Sequence, residues 1–78
     1  MPEFTLFGTE GCHLCEEASL LIAEAGIDFK SAEIMDNQEW LDKYSLSIPV
    51  LRHIGSGQEL AWPFDTQRLQ AFNTPHLV

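Results

Sequence analysis

At 78 residues the chain is long enough for one compact domain with a thin core, so residues 1–78 are expected to form a single domain. It carries 12 Asp and Glu against 4 Lys and Arg, a formal net charge of -8, which argues against nucleic acid and anionic membranes as partners because both are bound through basic patches. Hydrophobic residues make up 45% of the chain, with five Phe and two Trp, a composition that goes with a packed core rather than with disorder.

Residues 3–7 (Glu-Phe-Thr-Leu-Phe) alternate polar with apolar and predict a first strand, which Gly8-Thr9-Glu10-Gly11 breaks. From Cys12 onward Leu14, Cys15, Ala18, Leu21, Ile22 and Ala25 recur at helical spacing, and Gly26 stands where a helix stop belongs. Residues 29–34 predict a second strand. Asp36 followed by Glu39 reads as a capping box for a short helix with Trp40, Leu41 and Tyr44 on its buried side. Residues 48–54 and 58–62 then read as two strands joined through Gly55-Ser56-Gly57, a hairpin. Proline cannot donate to a ladder, so Pro49 belongs at the first residue or the edge of its strand. Pro63 stops the returning strand, Asp65 caps a last helix with Leu69 and Phe72 buried, and Asn73 to Val78 read as irregular. The order is βαβαββα. Its opening strand–helix–strand implies a parallel pair with a right-handed crossover, and its hairpin an antiparallel pair. The expected fold class is α/β, a four-stranded mixed sheet flanked by three helices.

The only two cysteines are Cys12 and Cys15. A bridge between them closes a tiny loop and hardly restricts the unfolded chain, so its value as a staple is small. Their place at a strand-to-helix junction suits reactivity instead. The first turn of a helix offers unpaired N–H groups and a partial positive charge, and both favour the thiolate, which is the reactive form. Cys12 stands at the exposed helix start and Cys15 one turn on, facing inward. The outer sulfur can attack a disulfide and the inner one can resolve the mixed disulfide. His13 would favour the thiolate when protonated, whereas Glu10, Glu16 and Glu17 oppose it. The same spacing also occurs in zinc sites, but these need four ligands, and His13, His53 and His76 form no second close pair. No metal site is expected.

The stretch from Phe4 to Cys15, FTLFGTEGCHLC, resembles the first strand and active-site turn of glutaredoxins and thioredoxins. Ser47-Ile48-Pro49-Val50 falls where that superfamily carries its cis-proline, and the element order is similar over nearly the whole chain, most of all to short bacterial glutaredoxin-like proteins. The resemblance implies a thioredoxin-like, glutaredoxin-type fold, a cis bond before Pro49, and an Ile48 backbone that pairs with an extended substrate. It also draws attention to His13, Trp62 and Asp65 as residues around a substrate site.

Glutathione fits that site poorly as a reductant. True glutaredoxins hold its carboxylates with a lysine before the first cysteine and a Gly-Gly pair before the last helix. This chain has Gly8-Thr9-Glu10-Gly11 and Trp62-Pro63-Phe64-Asp65 there. The expected activity is a dithiol–disulfide oxidoreductase without metal or organic cofactor, acting on a protein disulfide or small thiol and re-reduced by an unidentified electron donor. Two other readings stay open: a non-catalytic peptide- or protein-binding module, and metal or iron–sulfur binding through the cysteine pair across a dimer. A monomer is expected. No apolar run approaches the ~20 residues of a membrane span. Met1-Pro2-Glu3-Phe4 lacks the basic and apolar regions of a secretory signal, so the expected compartment is the cytoplasm.

Overall fold

In the computed structural model, which describes residues 2–76, one strand sends its alternate side chains into two separate cores. This is β1 (Phe4–Gly8). Phe4 and Leu6 pack with Ala18, Ile22, Leu51, Phe64 and Leu69, whereas Phe7 packs on the opposite face with Ile34, Tyr44 and Val50. The period-2 pleat of the strand is the cause: successive side chains must leave on opposite faces.

The helix α1 (His13–Glu24) crosses from β1 to a parallel β2 (Phe29–Glu33). Its end is a Schellman turn, in which Gly26 N–H donates to the Ala23 carbonyl at 3.0 Å and Ile27 N–H to the Ile22 carbonyl at 3.2 Å. Gly26 adopts φ 75° there, the left-handed conformation that glycine takes without a Cβ penalty. Strand β3 (Val50–His53) pairs antiparallel with β1, and β4 (Glu59–Ala61) pairs antiparallel with β3, so the sheet order is β2-β1-β3-β4. Pro49 stands immediately before β3, so its missing N–H falls outside the ladder of a central strand. Its carbonyl accepts from Trp62 N–H at 3.0 Å.

The short helix α2 (Gln38–Tyr44) starts one residue later than the capping box implied. Ile34–Asp36 form a 3-10 turn that takes up Asp36, so Asn37 is the cap instead. Its Oδ1 accepts from Glu39 N–H at 2.9 Å and Trp40 N–H at 3.3 Å. Glu39 is thereby the second helical residue rather than the third, and cannot reach back as a reciprocal cap. The Tyr44 hydroxyl is hydrogen-bonded to the Glu59 carboxylate, and Lys43 Nζ lies 3.4 Å from the same group, tying α2 to the hairpin.

The last helix, α3 (Thr66–Asn73), is capped by Asp65, whose Oδ1 accepts from Arg68 N–H at 2.8 Å. Leu69 is fully buried and Phe72 packs on Phe4. The tail is more regular than its composition suggested: Thr74–His76 form a 3-10 turn, and the His76 ring stacks on His53 with centroids 3.6 Å apart. Asn73, also expected to be irregular, is the last residue of α3, and residues 77 and 78 lie outside the described residues. Among those residues, no helix is long and apolar enough to cross a membrane.

Candidate redox site

Between β1 and α1 the chain turns through Thr9 to Cys12. Cys12 N–H donates to the Thr9 carbonyl at 3.2 Å, and Gly11 supplies the φ of 81° that the turn requires. Cys12 is the N-cap of α1, with extended backbone, and its Sγ accepts from Cys15 N–H at 3.1 Å. The two cysteines are joined as a disulfide with Cα atoms 5.2 Å apart. The sulfur of Cys12 thus occupies the place where an N-cap oxygen would satisfy an otherwise unpaired helix amide. A Cys12 thiolate at that position would have the same N–H to accept from.

Gly8 has a role that the sequence reading missed. A Cβ there would lie 3.0 Å from Cys15 Sγ and 3.2 Å from Cys15 Cβ, so the inner cysteine fills the space of an absent side chain. A glycine ending a strand just before the cysteine turn is the available sequence sign of such a close approach.

Glu33 was missed as well. Parallel pairing sets it opposite Gly8, and its carboxylate accepts from Glu10 N–H at 2.8 Å and from Met35 N–H at 3.0 Å. These contacts, the Met35 amide first, then the Glu10 amide and the Thr9 side chain, hold its carboxyl below the ordinary carboxylate value of 4.5. Because the folded value is lowered, the clamp is complete above the ordinary value and is lost as pH falls through the lowered one. Hydrogen exchange at the Glu10 amide, corrected for its intrinsic rate, is therefore expected to speed up on acidification below the ordinary carboxylate value of 4.5. In Glu33→Gln it should be fast throughout and show no such step. A step of unchanged size in the variant would remove Glu33 as its source.

The other predicted residues divide. His13 is exposed and its Nδ1 lies 3.8 Å from Glu16 Oε2. Ile48 is half-buried, with its N–H donated to the Tyr44 carbonyl at 3.0 Å. Pro49 is buried; the Ile48–Pro49 and Trp62–Pro63 peptide bonds are both cis. Trp62 meets Pro49 through its backbone, while its ring packs edge-on against Phe64 at 5.1 Å and joins the core. The carboxylate of Asp65 is engaged as the cap of α3. A cavity of about 350 Å³ flanks the disulfide, between α1 and the β1–β2 half of the sheet, with Leu6, Gly8, Cys12 and Cys15 in its lining. Among the described residues, no three His, Cys, Asp or Glu side chains are grouped to hold a metal ion.

The fold has counterparts in solved structures. The X-ray structure of target protein XcR50 from X. campestris is 40% identical, with 92% of this chain and 96% of that one covered and a TM-score of 0.85. The solution structure of Ne2328 from Nitrosomonas europaea is 31% identical over 92% of both chains, with a TM-score of 0.71. A glutaredoxin from Archaeoglobus fulgidus, 17% identical, covers 91% of this chain and 85% of its own with a TM-score of 0.63, and so shares the fold. No curated protein matches. Residues 3–72 match the family model of the glutaredoxin-like domain (DUF836). A match of that extent settles membership: the chain belongs to the glutaredoxin-like domain family, has a thioredoxin-like fold, and carries in its Cys-x-x-Cys pair a thiol–disulfide redox role in the general sense.

Proposed function

We propose that the protein is a dithiol–disulfide oxidoreductase in which Cys12 is the nucleophile and Cys15 the resolving thiol. The observation that carries this reading is the placement of Cys12 Sγ at the head of α1, on the Cys15 N–H, within bonding reach of the Cys15 sulfur. The Cys12 thiolate attacks a substrate disulfide RSSR, forming Cys12–S–S–R and releasing RS⁻. The Cys15 thiolate then attacks Cys12 Sγ, forming the intramolecular disulfide and releasing the second RS⁻. The two thiol protons end on the leaving thiolates, so one dithiol and one disulfide give one disulfide and two RSH. An external donor returns the two electrons.

No metal or organic cofactor takes part. The substrate is a protein disulfide or a small disulfide, handled by a monomer in the cytoplasm. By the family resemblance, Pro49 would shape the edge beside the sulfurs. With the Ile48 N–H engaged by Tyr44, the Ile48 carbonyl is the group left for pairing with a substrate backbone. Glutathione remains a poor reductant for this site, since Glu10 stands in the turn and Asp65 already fills the start of α3 with its own carboxylate.

The test is equilibration in graded dithiol/disulfide buffers, with free Cys12 and Cys15 counted by alkylation and mass. A reversible disulfide with a midpoint between about -180 and -270 mV is expected, the range of exchange catalysts. A pair that stays reduced in every buffer, or resists reduction below about -300 mV, would overturn the proposal.

A further inference from the structure

The cavity beside the disulfide is a built feature that the exchange chemistry alone does not use. It lies under α1 at the β2 edge of the sheet, with Leu6 and Ala32 as apolar surface and the Ser19 and Ser31 side chains in the lining. Its volume of about 350 Å³ is in the range of small-molecule sites, roughly 300–1,000 Å³. Three carboxylates, Glu10, Glu16 and Glu33, share the lining with both cysteines, and no Lys or Arg does. Of the chain's four cations, Lys43 lies against Glu59 and Arg52 Nη1 is 3.5 Å from the Tyr44 hydroxyl, on the opposite face of the sheet. Glu33 is fixed in place by two backbone amides, so its negative charge is part of the frame rather than a mobile side chain.

We infer that this cavity selects positively charged disulfides, seating an alkylammonium group of the substrate while its sulfur meets Cys12. The inference rests on the oxidoreductase reading and names the substrate class of the same centre. The apolar lining takes the short carbon chain between sulfur and nitrogen, and the carboxylates take the ammonium. The steps are those above, with R carrying the cation: attack by Cys12 leaves Cys12–S–S–R with R⁺ in the cavity, and closure by Cys15 releases it as the aminothiol. An ammonium there meets carboxylates that are open to solvent, Glu16 being 74% exposed with His13 Nδ1 3.8 Å away, so the attraction is one that salt screens.

The experiment follows oxidation of the reduced protein by cystamine, by the neutral bis(2-hydroxyethyl) disulfide and by the anionic dithiodiglycolate. Each rate is divided by that of a free dithiol with the same reagent. At low salt, cystamine is expected to lead the neutral reagent by about tenfold or more and the anionic one to trail, with the spread shrinking at high salt. Net charge alone would also favour a cation, so two double variants separate the causes. Glu10→Gln with Glu16→Gln removes two charges from the cavity and should collapse the cystamine lead. Glu24→Gln with Asp28→Asn removes two charges from the end of α1 and the loop that follows it, and should preserve the lead. Equal losses in the two double variants, or a lead near unity in the unaltered protein, would overturn the selectivity. Failure of the neutral reagent to oxidise the cysteine pair would instead overturn the oxidoreductase reading itself. A Lys-Cys disulfide dimer carries the same ammonium on a peptide: a rate above that of cystamine supports the site with a peptide source, and a lower one supports it with a small aminothiol.

Discussion

Cys12→Ser is expected to lose disulfide exchange by on the order of 10³-fold or more, to the level of the uncatalysed reaction, because a serine hydroxyl is not ionised near neutral pH. Cys15→Ser is expected to fail differently. Its Cys12 remains at the head of α1 with the residue-15 N–H to stabilise the thiolate, so the first attack proceeds and the second cannot. The protein should accumulate as a mixed disulfide, seen by mass as one substrate half added per chain and removable by a small dithiol. Turnover should stop in both variants, but only Cys15→Ser should trap substrate. Trapping by Cys12→Ser in place of Cys15→Ser would reverse the two roles. Neither substitution should disturb folding much, since the bridge spans three positions and restricts little of the unfolded chain.

Leu51→Ala is expected to be the most damaging of the conservative changes away from the sulfurs. Leu51 is fully buried, lies opposite Leu6 on one side and Leu60 on the other, and belongs to the core that α1 and α3 cover. Removing its three carbons loses their transfer free energy and leaves a cavity, a combined cost of about 2–5 kcal/mol. A domain of this size has about 4–12 kcal/mol of stability in all. Each kcal/mol lowers Tm by roughly 4–8 °C at this length, so the shift should be plain in a thermal melt. Leu46→Ala, at a fully exposed position, is the matched control and should leave Tm nearly unchanged. A small shift for Leu51→Ala would mean that the sheet is not held by the core described here.

The order of elements and the cysteine pair were legible because both are local. Alternation from Phe4 to Phe7, helical spacing from Leu14 to Ala25 and the stop at Gly26 each express a rule that operates within a few residues. The sequence puts the cap of α2 one position early because Asp36 and Asn37 are both good caps, and the 3-10 turn that takes up Asp36 decides between the two. Strand ends contracted for a different reason. Ile48 and Trp62 have β-favouring side chains, yet each is followed by a proline that cannot donate to a ladder, and pairing between β3 and β4 runs only from Val50 with Ala61 to Arg52 with Glu59. What stayed hidden depends on register between distant segments. Glu33 meets Glu10 across 23 positions only because β2 lies beside β1 in parallel. The stack of His53 on His76 needs the end of α3 to return over β3. Asp65 suits both a cap and a substrate surface from sequence, and its carboxylate accepts from Arg68 N–H as the cap of α3.

Both sulfurs belong to one helical turn, and neither cysteine is among the buried residues of the two cores. If the pair exchanges electrons as proposed, the covalent change is confined to that turn. A donor and an acceptor can each distinguish the oxidised from the reduced protein only by touching the same few atoms. They must visit in turn, never together, so steady-state kinetics with two varied partners should take the ping-pong form, with parallel lines in a double-reciprocal plot.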